Sequence, residues 1–508
     1  MQSDRSLWDT KAPRRRKGQQ EGTINLKVRD FFYLMLLTAA SLVVHGYHPG
    51  VEDSEVYISG IKSILNPSLY PFGREFFASQ AGMTLLPNLI AASVRFSHLP
   101  FDWVIFFWHT LSIFLLLLAG LQLSRILFKE ERAHWAGVTL LAALLTLSVA
   151  GTALYIVDQY LNPRAFALFA AIFATTAVLK KKYLQAGLWI AFAATVHMLM
   201  VAFAISWLFF LVLVKSYLSR PIPAMSLLPL GLSFKYPSAA YREAVQTRSY
   251  FFLLQWQWYE WLGIFGPLAI LYGLSRHARK QGLTNVETVC RASIPFVLFY
   301  FVVAVIFTIP DRLVAFARFQ PLRSLHIVYV LLVLIGGGYL GKWLLKGRAW
   351  LWLAFCLPLS AGMFYASRQT FPATPQIEWP GIKLENDWMK TFAWIKVNTP
   401  TDAIFALNPE HMKLPGEDYQ GFRALAERSM VADALKDSGV VTYFPNTQIA
   451  EHWQEQVNAQ QGWSKFQLAD FERLRARYGV SWVVLDQKGD LGLDCPYANA
   501  TLRVCRLP

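Results

Sequence analysis

The sequence predicts a polytopic α-helical membrane protein of about 10–11 transmembrane helices, with a small extracytoplasmic α/β domain at its C-terminal end. Three observations carry that expectation. Of the 508 residues, 55% are hydrophobic, above the roughly 45–50% of ordinary globular domains. The excess gathers in runs of roughly 17–25 residues, the length that crosses a hydrocarbon core of about 30 Å. From residue 367 onward the runs stop, and 15 lysines and arginines mix with 17 aspartates and glutamates as in a soluble fold. The formal charge of +15 thus comes from residues 1–366, which alone carry +17.

Residues 1–27 read as a cytosolic basic tail. Its cluster Arg14-Arg15-Arg16-Lys17 is topogenic, and it lies too far from the first apolar run to begin a cleavable signal peptide. The membrane domain, 28–366, contains candidate spans at 28–46, 82–98, 101–127, 134–153, 162–180, 184–214, 258–275, 292–309, 324–345 and 349–366. Lys180-Lys181-Lys182, then Arg276, Arg279 and Lys280, then Lys342, Lys346 and Arg348 mark cytoplasmic ends. The last span leads outward, so the first outer loop, 47–80, and the C-terminal domain, 367–508, face one compartment. Three runs separate the outer loops at 47–80 and 155–162, where parity needs an even number. Either 82–98, with Pro87, Asn88 and Arg95, lies along the interface or re-enters, or the charge rule fails at Arg125, Lys129 and Arg132, beside Glu130 and Glu131. Run 184–214 is one long tilted helix or two half-helices meeting near His197. Residues 222–234 are semi-apolar and suited to returning the chain outward.

The most informative stretch is Gly50-Val51-Glu52-Asp53-Ser54-Glu55-Val56-Tyr57. Three carboxylates in four positions at a membrane surface need a metal ion, an arginine or an acceptor hydroxyl to act upon. Tyr57, Ile58, Ile61, Ile64 and Leu65 form one helical stripe and Asn66-Pro67 ends it, which predicts a short interfacial helix with its apolar face among the headgroups. Glu52 and Glu55 then share one face, Asp53 and Tyr57 another. The competing role for the acids is to cap this helix, though three exceed what a cap requires.

Further polar residues gather at outer span ends: Asp158 to Arg164, Arg242 to Tyr250 leading into Trp256–Trp261, and Arg312, Arg318, Gln320 and Arg323. Basic residues on the outer side run against the positive-inside bias, and guanidinium forks suit phosphate. The aromatics are equally suited to an interfacial belt. His197, in an apolar run, is expected to face the bundle interior, as a packing hydrogen bond or a site residue.

In the C-terminal domain, helices at 386–397 and 466–478 alternate with apolar strands at 403–407, 428–433 and 479–486, a small α/β layer. It has no Gly-rich phosphate loop, nucleophile elbow or metal-spaced Cys/His set, so gating or partner binding is its expected role. Cys495 and Cys505 are expected to form a disulfide in an oxidising compartment. Cys290 and Cys356 lie in or beside spans.

The layout resembles the GT-C superfamily of multi-span glycosyltransferases that use lipid-phosphate sugars. The likeness rests on the acidic first loop, the helix after it, the span count and the soluble outer domain. Within it the sequence is most similar to uncharacterised bacterial members, through Gly50-Val51-Glu52-Asp53, Tyr57, Asn66-Pro67, Leu69-Tyr70-Pro71, Asn162-Pro163-Arg164, His197, Gln320-Pro321-Leu322-Arg323 and Asn398-Thr399-Pro400. The resemblance implies an enzyme that moves a sugar from a polyprenyl-phosphate donor to a glycan or protein acceptor, in a bacterial inner (plasma) membrane with the N-terminus cytoplasmic and the C-terminal domain periplasmic. Asp53, then Glu52, would be the catalytic base or ligands of a divalent metal, Mg or Mn. Glu55 and Asp158 would support them. Arg164, Arg248, Arg318 and Arg323 would hold the donor phosphate, and Tyr57, His197 and Gln320 are further candidates. Partners are the bilayer, the lipid-linked sugar and the acceptor, with no nucleic acid. The lack of a second strongly acidic outer motif beyond Asp158, Glu243 and Glu260 leaves the metal open. Competing functions are a transporter or flippase of a lipid-linked or anionic solute, against which the lack of an internal repeat counts, and a non-catalytic cell-envelope scaffold.

Overall fold

The computed structural model describes residues 26–217, 236–382, 386–445, 448–487 and 491–508. The cluster Arg14–Lys17 and the semi-apolar stretch 222–234 lie outside the described residues.

The first helix, α1 (Val28–His45), enters the bundle, and α2 (Ser54–Leu65), α3 (Glu75–Ala81) and α4 (Leu86–Ser97) follow at one end of it. Helices α5 (Phe101–Leu127) and α6 (Glu131–Ala143) lead to an irregular segment and then to α7 (Pro163–Leu179). Next come α8 (Tyr183–Val196), α9 (Met198–Tyr217), α10 (Ala239–Gln246), α11 (Trp258–Lys280), α12 (Thr284–Thr308), α13 (Leu325–Tyr339), which one π-helical stretch extends to Leu345, and α14 (Ala349–Thr370). Among the described residues, six segments are long and apolar enough to cross a bilayer: Val28–His45, Phe101–Leu127, Met198–Ser216, Thr284–Thr308, Asp311–Leu345 and Ala349–Thr370. Every residue of α7 is buried, the mark of a helix at the centre of a bundle. Where α6 crosses α13, a Cβ on Gly137 would come within 2.7 Å of the Leu334 carbonyl oxygen, so small residues set that backbone approach.

Several predicted spans are shorter in the structure. Helix α4 has 12 residues and rises about 18 Å, well short of the bilayer core. Run 134–153 is helical only to Ala143, and run 184–214 breaks at His197, where the backbone is extended. Thr195 there accepts from the Leu85 amide at 2.9 Å, beside α4, while Lys215 near the end of α9 donates to Val178 and Leu179 at 2.9 and 3.0 Å. The two helices therefore form a hairpin against α7, with the turn at the end occupied by the first loop.

The C-terminal layer comprises α15 (Asp387–Asn398), β1 (Ile404–Ala406), α16 (Phe422–Ala426), β2 (Ser429–Met430), α17 (Lys436–Val441), α18 (Ile449–Ala459), α19 (Leu468–Tyr478), β3 (Trp482–Asp486), β4 (Asp494–Ala498) and β5 (Leu502–Arg506). The sheet order is β2-β1-β3-β5-β4. Strand β1 runs parallel to both β2 and β3, and β5 is antiparallel to β3 and β4. Phe405, Phe392, Phe422 and Trp482 fill one face, and Val483, Val431, Phe471 and Leu474 the other, as expected for strands covered on both sides. Cys495 on β4 and Cys505 on β5 are joined by a disulfide.

This layer sits directly on the first loop. The Gly421 amide donates to Gly50 O at 2.8 Å and the Glu52 amide to Tyr419 O at 3.1 Å. Helix α2 keeps its expected limits but not its expected place. Ser54 through Ile61 are all buried, because the helix lies beneath the soluble layer rather than on the headgroups. Lys62 reaches across to Glu427 and the Ala424 carbonyl, both at 2.7 Å. Glu55, 2% exposed, accepts from the amides of Arg423 (3.0 Å) and Ala424 (2.8 Å). The Arg423 guanidinium also faces Glu55 and forks onto Asp437 at 2.9 and 2.8 Å. A buried carboxylate needs such partners to offset its lost hydration.

Arg423→Ala strands two buried acids, so it is expected to destabilise the protein by about 3–5 kcal/mol. The detergent-solubilised unfolding midpoint should fall accordingly. Adding Glu55→Gln to Arg423→Ala should cost less than the two single losses summed.

Candidate active site

Between the bundle and the soluble layer lies a cavity of about 550 Å³. Its acids are Glu52, Asp53, Asp158 and Glu260, and its cations are Arg164, Arg248, Arg323, Lys413 and Lys436. Tyr155, Tyr160, Tyr250 and Tyr419 add phenol rings. Five cations against four carboxylates leave a positive surplus, which favours an anionic ligand.

Local backbone aims the acids. Gly50 has φ +106°, and Glu52 itself sits in the left-handed region at φ 53°, which costs about 1–2 kcal/mol for a residue with a Cβ. That turn, held by the hydrogen bond from the Glu52 amide to the Tyr419 carbonyl, separates Glu52 from the face of Glu55. Asp53 occupies the N-cap position of α2, yet its side chain makes no capping bond. It is engaged instead by Arg164 Nη1 at 3.1 Å and Lys436 Nζ at 3.3 Å. The same Lys436 ammonium pairs with Glu52. Asn162 caps α7 by accepting from the Arg164 amide at 3.0 Å, with Pro163 in the first turn. This places Arg164 at the rim of the bundle, where its other nitrogen meets Asp158 at 2.8 Å.

Arg248 donates to the Leu435 carbonyl and to Ser438 Oγ, the latter at 3.2 Å, and so grips the start of α17. Arg323 differs from the others. Like Arg248 it is 6% exposed, leaves its Nε without a partner and makes no ion pair among the described residues, but where Arg248 bonds Leu435 and Ser438 the Arg323 guanidinium makes no hydrogen bond there and lies over the Tyr250 ring at 5.5 Å.

Burial alone would raise the Asp53 carboxyl. The charges of Lys436, Arg164, Arg323 and Arg248 outweigh it and hold the group well below the usual carboxylate range. Burial lowers Lys436, but Glu52 and Asp53 more than compensate and keep it charged. Asp158 goes the other way: burial pushes it up against the pull of Arg164.

The predicted site residues divide. Glu52, Asp53, Asp158, Arg164, Arg248 and Arg323 converge on the cavity. Glu55 does not; it is spent on the latch to Arg423. Arg318 lies outside, donating to Tyr443 O at 3.3 Å and stacking over Phe319. Gln320 lies outside as well, with its amide nitrogen 3.4 Å from the Tyr443 hydroxyl. Tyr57 is buried within the α2 packing and does not line the cavity. His197 is half-buried at the α8–α9 turn, its Nδ1 accepting from the Met200 amide at 3.4 Å. Sequence reasoning missed Lys436, one of 15 basic residues in its region with no motif around it.

The donor set does not suit the expected divalent metal. The position between Glu52 and Asp53, where a shared ion would sit, holds the Lys436 ammonium, and Asp158 is committed to Arg164. Among the described residues no group of three His, Cys, Asp or Glu side chains converges as a metal site would require.

Fold and site together define a polytopic helical membrane protein in which a soluble α/β layer closes over a charged cavity at one end of the bundle. Among solved structures the chain is similar to the apo crystal structure of the Archaeoglobus fulgidus oligosaccharyltransferase, at 12% identity and TM-score 0.46 over 91% of this chain and 70% of that one. It is also similar to the oligosaccharyltransferase AglB of Archaeoglobus fulgidus in complex with an inhibitory peptide and a dolichol-phosphate, at 12% identity and TM-score 0.44 over 90% and 69%. No protein-family model and no curated protein matches the sequence.

Because Lys436 is the leading opponent of burial at Asp53, Lys436→Met is expected to move the Asp53 titration upward, toward the ordinary carboxylate range. Infrared difference spectra across a pH series, with Asp53→Asn as the assignment control, should show the protonated band appearing at higher pH. A titration identical to that of the unaltered protein would remove Lys436 as the cause.

Proposed function

We propose that this protein is a GT-C-type membrane glycosyltransferase, which transfers a sugar from a polyprenyl-phosphate donor to an acceptor hydroxyl or amide on the outer face of a bacterial plasma membrane. One observation carries the proposal. A single cavity holds an ionised carboxylate, Asp53, together with a buried guanidinium, Arg323, that makes no ion pair and no side-chain hydrogen bond among the described residues. The first suits an acceptor proton and the second a phosphate.

In the proposed reaction the acceptor oxygen or nitrogen attacks the anomeric carbon. The bond from that carbon to the phosphate oxygen breaks, and its electron pair leaves with the polyprenyl phosphate. The acceptor proton passes to Asp53. The low proton affinity of Asp53 fits a late transfer, since the acceptor becomes acidic only as the new bond forms. An arriving phosphate also competes for Lys436 and Arg164, which raises the proton affinity of Asp53 at that moment. Arg323, with Arg164 and Arg248, neutralises the departing phosphate in a site partly shielded from water. The tyrosines offer hydroxyls and ring faces suited to a sugar. The cavity lies at the helix ends, where a lipid tail can remain in the bilayer while its headgroup enters.

Asp53→Asn is expected to lower turnover by about 10²–10⁴-fold while leaving polyprenyl phosphate bound, as seen by native mass spectrometry of the full chain. Arg323→Ala is expected to weaken that binding by about tenfold or more, the order of one charge-assisted contact. Full turnover in Asp53→Asn would sink the proposal.

A further inference from the structure

We infer that Lys436 does the work of a divalent cation in this cavity: the soluble layer delivers an ammonium between Glu52 and Asp53, and the site binds its anionic ligand without metal. The inference deepens the transferase proposal, on which it rests for the identity of that ligand.

The geometry is specific. Lys436 is 6% exposed, its Nζ pairs with Glu52 and lies 3.3 Å from Asp53 Oδ1. A divalent ion bridging these carboxylates would need oxygens at about 2.0–2.6 Å, and so would occupy the space the ammonium fills. Two cations crowded there would repel one another strongly in a shielded site. Such an ion also takes about six oxygen ligands. The next carboxylate, Asp158, is held by Arg164 at 2.8 Å.

The lysine is also firmly placed. Its backbone amide donates to Asp433 Oδ1 at 2.5 Å, and the Asp433 amide donates to Asp437 Oδ2 at 2.9 Å. Asp437 is in turn forked by Arg423, which faces Glu55. Arg248 grips the neighbouring carbonyl of Leu435. The network that docks the soluble layer onto the first loop therefore also positions this ammonium. The cavity has its full charge complement only when that layer is seated.

The test uses the full chain in lipid nanodiscs, with Mn2+ alone as the probe and its electron paramagnetic resonance signal as the readout. The unaltered protein and Lys436→Arg should bind Mn2+ weakly. Lys436→Met, which keeps the length and loses the charge, should bind it about tenfold more tightly or better, and Lys436→Met/Asp53→Asn should lose that gain. Unchanged unfolding midpoints establish that the variants fold. One tight Mn2+ equivalent in the unaltered protein, or equal affinity with and without the lysine, would overturn the inference. Polyprenyl phosphate should stay bound in EDTA, and its release by EDTA with recovery on adding Mn2+ would overturn it too. Absence of polyprenyl phosphate under every condition would instead strike the transferase proposal and leave the Mn2+ result standing.

Discussion

The burial of Glu55 against the start of α16 is the constraint on which the rest of the site depends. A carboxylate removed from water must be met by donors, and the amides of Arg423 and Ala424 meet it. That contact fixes the first loop to the soluble layer at one point, and the Gly50–Gly421 and Glu52–Tyr419 backbone bonds extend it. With the loop held there, Glu52 must turn through a left-handed backbone conformation, which directs it and Asp53 away from Glu55 and into the cavity. Gly421 is part of the same fit, because a Cβ at that position would collide with the Glu55 carboxylate. One acid is given to the latch, and the two before it line the cavity.

The electrostatics of the cavity follow from its position between a helix bundle and a folded layer. Charges there lose water on both sides, and each is affordable only beside an opposite charge. Asp53 is the clearest case: burial pushes its carboxyl up, four cations pull it down, and the cations win. Arg164 bridges Asp53 and Asp158, and Lys436 bridges Glu52 and Asp53, so most of the cavity charge is internally balanced. Arg323 acts on Asp53 only at a distance: it lies over an aromatic ring and makes no ion pair or side-chain hydrogen bond among the described residues. A buried guanidinium with donors left unbonded suits an anion.

Bundle and layer are coupled through particular side chains rather than through a linker alone. Arg248, after α10, holds α17. Lys62, on α2, holds Glu427 after α16. Tyr70 donates to the Arg423 carbonyl at 2.8 Å, and Tyr241 donates to Thr442 O at 2.8 Å. Each bond ties the membrane half to the soluble half. A domain expected to act as a gate or docking module is thereby also a contributor to the cavity wall.

What the sequence determined by itself was whatever local periodicity and local capping can write. Runs 101–127 and 349–366 became α5 and α14, Asn66-Pro67 ended α2 at Leu65, Asn162-Pro163-Arg164 opened α7, and the 466–478 helix and 479–486 strand of the soluble layer appeared within a few residues of their expected ends. Six of the candidate residues also reached one cavity, because each stood within a few residues of a helix end and such ends are neighbours in a bundle. Tertiary structure alone decided the rest. Glu52, Asp53 and Glu55 look equivalent in the sequence, and only the docked layer separates a latch from a site. Lys436 lies 383 residues from Asp53, and Arg318 and Arg323 are parted by the left-handed backbone of Gln320, φ 43°, between two short 3-10 stretches. Charge pairing is a matter of distance in space, and no hydrophobic period along a chain encodes it.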